Sequence, residues 1–189
     1  MAGAAAFVFV SELPGLGPET GSLMDDAKGP IPGVSIAYED GGLLERMARR
    51  HGPITLSLET TDSFADRTSW NVVGELPGTT EPTEVILVGS HYDGHDTAQG
   101  ATDPASGLIV VLEVARVLAA HARTDLKRTV RFIGFGTEEI GLIGSERYVD
   151  AHASELDDIR FMLNLDAVGA MSGDKGICLH EWPELESYF

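Results

Sequence analysis

Apolar residues in this chain of 189 residues fall into short blocks, and several of the blocks end in a turn that carries His or carboxylates. TVRFIGF (129–135) reads as a buried strand, because it is apolar almost without interruption. In the segment after it, IGLIGSERYV (140–149), Ile140, Ile143 and Tyr148 are spaced for one face of a helix. VILVGSHYDGHD (85–96) is an apolar strand with a polar end. QGATDPASGLIVVLEVARVL (99–118) is a turn of small residues leading into a strongly apolar helix, and FMLNLDAVG (161–169) is a third apolar strand.

Upstream, AAFVFV (5–10), GVSIAY (33–38) and ITLSLET (54–60) are short strand candidates separated by Gly/Pro-rich turns. EDGGLLERMARRH (39–51) between the last two reads as an amphipathic helix. From TSWNVVGELPGTTEP (68–82) onward, the turn LPGTTEP looks like a hairpin connection, so the first strand pair is expected to be antiparallel. The later strand–helix–strand units favour parallel pairing. The expected fold class is α/β: a mixed, mostly parallel sheet flanked by helices, with WPELESYF (182–189) starting a further helix. Two regions are expected, a β-rich one over 1–60 and the α/β domain over 61–189.

A hydrophobic content of 43% is that of a globular protein, and a net charge of −17 argues against a nucleic-acid surface, where phosphate contacts need Lys and Arg. Most of the 30 acidic residues must be solvated, which favours solubility and identifies no chemistry alone. Cys178 is the single cysteine, so a disulfide within the chain and a four-cysteine zinc site are both excluded. The opening MAGAAAFVFV lacks a basic n-region, and no apolar run reaches the roughly 20 residues of a spanning helix. A soluble protein without a membrane partner is expected.

The candidate chemistry gathers at strand ends. Glu138 and Glu139 directly follow the strand 129–135, at the C-terminal edge where open α/β sheets place ligands. Neighbouring side chains there point in different directions, so one can hold a metal while the other handles a proton. His91-x-Asp93 ends another strand, Asp103 lies in the turn before the apolar helix, and Asp166 ends the third strand. His and carboxylates together suit zinc. Each residue also has an ordinary reading. Glu-Glu pairs are common on surfaces, a strand-end His is commonly a surface residue, and Asn-x-Asp is a common turn. Asp103 with Pro104 behind it makes a good helix start. His95 and Asp96 compete with His91 for the ligand role.

In order and spacing, HYD, TDPASG, TEEIGLIGS and NLDAVG resemble the motifs of the M28 family of zinc peptidases, over roughly Trp70 to Gly169. HDTAQGATDPASG resembles most the branch of secreted dipeptidases and plasma-type carboxypeptidases. The resemblance implies a zinc-exopeptidase fold (phosphorylase/hydrolase-like) and two Zn2+ per complete site. It assigns His91, Asp103, Glu139 and Asp166 as metal ligands, with Asp103 bridging. Asp93 would orient His91, and Glu138 would be the general base acting on water. Pro104 stands where the family usually has Asp, Asn or Gly, and the resemblance implies a cis bond before it.

The family completes its second zinc with a downstream His that this chain lacks; His180 sits too early to match. The chain is therefore expected to hold one zinc well and to be inactive alone. GAAAFVFVSELPG and IPGVSIAYEDGGLL resemble the second half of a protease-associated domain. The resemblance also implies a peptide substrate and favours a secreted or periplasmic location. Two alternatives stand beside it: a glutaminyl cyclase-like acyltransferase, and a metal-free binding domain on a peptidase-like fold.

Overall fold

A computed structural model of the chain describes residues 3–20, 31–61, 63, 65–122, 124–169, 176–179 and 183–188. Their elements in chain order are β1 (Phe7–Val10), β2 (Gly33–Ile36), α1 (Tyr38–His51), β3 (Val72–Leu76), β4 (Glu81–His91), α2 (Ala105–His121), β5 (Arg128–Phe135), α3 (Ile143–Ala151) and β6 (Ile159–Asn164). They form two compact units. One comprises Met1–Trp70, Asp93–Gln99 and Gly136–Ala151; the other comprises Asn71–Tyr92, Gly100–Phe135 and His152–Phe189.

The second unit holds a four-stranded sheet in the order β3-β5-β4-β6. β4 runs parallel to β5 and to β6, and β3 is antiparallel to β5. The sheet is mixed and mostly parallel, as the strand–helix–strand pattern implies. The hairpin expectation is corrected: β3 does not pair with β4. Between them the chain steps across the start of β5, where the Thr79 and Glu81 amides donate to the carbonyls of Leu126 and Lys127. The Gly78 amide donates to Thr129 Oγ1 at 3.1 Å. A Cβ at Gly78 would lie 2.5–2.7 Å from backbone atoms of Lys127, Arg128 and Thr129. The turn therefore approaches another strand more closely than any residue but glycine permits.

α2 packs against β4 and β5. Val111 meets Val88, Val130 and Phe132, with Leu76, Ile86, Val114 and Leu118 around them. Burying each of these large side chains contributes roughly 1.5–3 kcal/mol. Leu87, Ile133 and Phe135 are buried on the opposite face of the sheet. At the N-terminal edge of the parallel strands, Glu84 pairs with Arg128 at 2.5 Å and with Arg160 at 3.1 Å.

In the first unit β1 and β2 pair in parallel and α1 packs on β1. α1 begins with Glu39 and Asp40 and ends with Arg49, Arg50 and His51, charges that complement the helix dipole. ITLSLET, expected as a strand, is not one. Ile54 and Leu58 are half-buried, but alternation gives a segment a face, whereas a strand also needs a backbone partner. α3 starts at Ile143, because Gly141 and Leu142 have φ of 127° and 62°, which breaks a right-handed helix. Ile140, expected on its inner face, is therefore 52% exposed in the preceding turn, while Tyr148 is buried. Pro183–Tyr188 forms a 3-10 helix. Among the described residues no helix is long and apolar enough to cross a membrane.

Candidate metal centre

The second unit brings His91, Asp103 and Asp166 together. His91 is the last residue of β4 and is buried. Its Nε2 lies 2.8 Å from Asp103 Oδ1 and 3.4 Å from Asp166 Oδ1. Potential ligand atoms of the three residues all lie within 4.8 Å of one another. A single ring N–H can be aimed at only one of these carboxylates, whereas a cation at their focus satisfies both together with the imidazole. Zinc bonds of about 2.0–2.2 Å in a tetrahedron put ligand atoms about 3.3–3.6 Å apart. The nitrogen and oxygen donors suit zinc, and the 3.4 Å separation of His91 and Asp166 matches that spacing. The 2.8 Å contact of His91 with Asp103 is a hydrogen-bond distance that would have to open to admit the ion. The Asp103 side chain is 53% exposed and that of Asp166 44%, so the group is open to solvent.

Backbone geometry explains the convergence. Parallel pairing places the C-terminal ends of β4 and β6 side by side, with Gly89 opposite Asn164. The Leu165 amide extends that ladder by donating to the Gly89 carbonyl at 2.9 Å, and Asp166 follows. Asp103 is held by the turn into α2, where the Ala105 amide donates to the Gly100 carbonyl at 2.9 Å. The Asp103–Pro104 bond is cis, as expected. Asp103 itself does not cap α2; Pro104 occupies the cap position and makes no side-chain cap hydrogen bond. Gly107 explains the Ser-Gly that ends the motif. A Cβ there would lie 2.1 Å from the Leu165 carbonyl oxygen and 2.9 Å from Ser90 Oγ. Only glycine lets the helix start come this close to the chain leading to Asp166.

The first unit brings Asp93, Glu138 and Glu139 together. Asp93 Oδ1 accepts the Glu138 amide at 3.0 Å, and Oδ2 accepts the Glu139 amide at 3.2 Å. One carboxylate thus uses both oxygens to fix the backbone of the Glu-Glu pair. His95 Nε2 lies 2.8 Å from Glu139 Oε2. Thr137, just before the pair, has φ of 58°, unusual for a β-branched residue and a mark of local strain. The turn closes as the Gly141 and Leu142 amides donate to the Glu138 carbonyl. Ala167, just after Asp166 in the other unit, is likewise left-handed at 45°.

Two features were not anticipated from the sequence: the hold of Asp93 on two amides, and the pairing of His95 with Glu139, where His95 had figured only as a rival ligand. Charge and spacing flag both residues, but neither reveals a partner some 45 positions away. His180 lies outside the described residues.

Residues 71–187 match the model of peptidase family M28. The chain is 38% identical over 173 residues to aminopeptidase YwaD of Bacillus subtilis, covering 89% of this chain and 35% of that protein. It is 33% identical over 152 residues to carboxypeptidase Q of Mus musculus, covering 79% of this chain and 32% of that protein. Among solved structures, BSAP, described as a zinc aminopeptidase from Bacillus subtilis, superposes with a TM-score of 0.67 at 33% identity. That match covers 88% of this chain and 39% of the other. The chain thus spans between about a third and two fifths of the length of these three proteins.

Proposed function

The chain belongs to peptidase family M28, and from that membership we propose that it serves a zinc-dependent exopeptidase, hydrolysing peptide bonds at the ends of peptides or in dipeptides. The observation that carries the reading is the buried His91 Nε2 faced by the Asp103 and Asp166 carboxylates. These three residues hold one zinc, and Glu139 is a ligand for a second. The second ion has fewer protein ligands among the residues named here, so it binds more weakly. Residues 1–60 belong to a protease-associated-like region, and 61–189 to the peptidase domain.

Bound zinc supplies a Lewis acid that acidifies water and polarises a carbonyl. Glu138 takes a proton from the attacking water as its oxygen bonds to the scissile carbonyl carbon. Glu138 returns a proton to the amine nitrogen as the carbon–nitrogen bond breaks. Asp93, through the two amides it accepts, keeps the Glu138 backbone from drifting while its side chain exchanges that proton. Water is the nucleophile, so no serine or cysteine is required.

Zinc titration and a substrate panel test this reading. The chain is expected to bind zinc and to lose that binding on His91→Ala, and the full-length protein to release amine from aminoacyl anilides or dipeptides. Aminoacyl and carboxy-terminal substrates assayed side by side identify which peptide end is attacked. Cyclisation of N-terminal Gln peptides without hydrolysis, or zinc binding that His91→Ala leaves intact, would overturn the proposal.

A further inference from the structure

Ser106, the second residue of α2, joins the two backbone segments that carry the carboxylates facing His91. Its hydroxyl donates to the Thr102 carbonyl at 2.5 Å, one residue before Asp103. The same oxygen accepts the Gly169 amide at 3.0 Å, three residues after Asp166. A serine hydroxyl bonded to the carbonyl four residues back is common in helices and means little alone. Its second bond, to a turn 63 residues away, does not belong to helix formation. The approach is tight: a Cβ on Gly169 would lie 2.6 Å from Ser106 Cβ.

We infer that Ser106 is a positioning residue for the metal group, setting the separation of the Asp103 and Asp166 carboxylates around His91 Nε2. A hydroxyl suits this task because it donates once and keeps lone pairs to accept. Alanine at this place loses both bonds together. Among the described residues, the Asp103 turn and the Asp166 turn then keep their shared neighbour His91 and the close approach of Gly107 to Leu165, but lose the direct bridge between their backbones. The side chains of both aspartates are about half exposed, so packing does not hold them in place. This inference rests on the zinc reading above and concerns residues that touch no metal.

The test uses the full chain, zinc and cobalt(II) as probes, and Ser106→Ala and Gly169→Ala as variants. Gly169→Ala keeps the hydroxyl and its bond to Thr102 but wedges a methyl into the junction. Gly169 does not have a positive φ, so alanine there is wrong only in its bulk. Competition against a chromophoric chelator is expected to show zinc bound about tenfold more weakly by either variant, within the range for groups that support metal ligands. The cobalt(II) visible spectrum should change shape, reporting altered ligand geometry, while circular dichroism of the metal-free proteins stays that of the parent. The Gly169 amide should exchange faster with solvent in Ser106→Ala. If Ser106→Ala does not fold, Gly169→Ala decides. Parental zinc affinity and an unchanged cobalt(II) spectrum in the folded variants would overturn the inference and leave the zinc reading standing. Failure of the parent chain to bind zinc would overturn both.

Discussion

His95 Nε2 lies 2.8 Å from Glu139 Oε2, and Glu139 is the more buried of the two side chains, 13% exposed against 33%. The contact engages one of the two carboxylate oxygens of Glu139. With Glu139 a ligand to a second zinc as proposed, His95→Ala is expected to weaken that ion's binding about tenfold. His95→Gln, which keeps an N–H donor, should lose less. Zinc content after dialysis against graded chelator separates the variants, and equal retention by His95→Ala and the parent would show that the contact is incidental.

Glu138→Gln keeps the shape of the side chain but removes its capacity to accept a proton. A general base contributes roughly 10²–10⁴-fold to rate, so turnover by the full-length protein should fall by at least about a hundredfold with zinc content unchanged. Near-parental hydrolysis by Glu138→Gln would move the base assignment to another residue.

Gly107→Ala places a methyl where the Leu165 carbonyl oxygen already sits, 2.1 Å from the new Cβ. Neither partner is the flexible end of a side chain, so backbone must move. Overpacking of this kind costs about 1–3 kcal/mol or more. Urea denaturation should show that loss, and zinc affinity should fall with it because Asp166 follows Leu165. Parental stability would mean that α2 can shift without cost.

Acid should loosen the N-terminal edge of the sheet. The hydrogen bond from Arg128 is the main cause holding the Glu84 carboxyl below its usual range; Arg160 adds to it and desolvation opposes it. Because the folded-state value is the lower one, this contribution is fully present above the unfolded carboxylate range. It is lost as pH falls through the depressed folded value. Glu84→Gln should flatten the acid limb of a stability–pH profile and leave the profile near neutrality shallow. An unchanged acid limb would assign that slope to other carboxylates.

β4, β5, β6, α1 and α2 were legible because their apolar runs and turn residues agree with the elements they form. The meeting of His91, Asp103 and Asp166 was legible because motif order places a His or a carboxylate at two strand ends and one helix entry. Other features depend on distant backbone. TSWNVVGELPGTTEP carries every local sign of a hairpin, yet β3 pairs with β5, because Gly78 and Thr79 meet backbone around residues 126–129. Helix periodicity in IGLIGSERYV counted Ile140, but the left-handed Leu142 breaks that register. Asp93 could be read as a metal-site acid; its grip on the Glu138 and Glu139 amides could not, since amides leave no trace in side-chain pattern. Ser106 and Gly107 appeared only as small residues in a turn, and the contacts they make lie across the fold.

On the proposed zinc reading, the pairing of β4 with β6 would give the metal a role beyond chemistry. Asp166 lies 75 residues along the chain from His91, so the two meet only once β4 and β6 have paired. A slip of β6 by one residue would shift Asp166 by about 3.3 Å and turn the strand's alternate side chains to the opposite face. Among the described strands β6 is one of the two at the edges of the sheet, with Met162 and Leu163 exposed, so its own side chains discriminate poorly between registers. An ion that binds only when Asp166 faces His91 rewards one register and none of its neighbours. On that zinc reading, the metal would favour the native register of β6 during folding, before any substrate arrives.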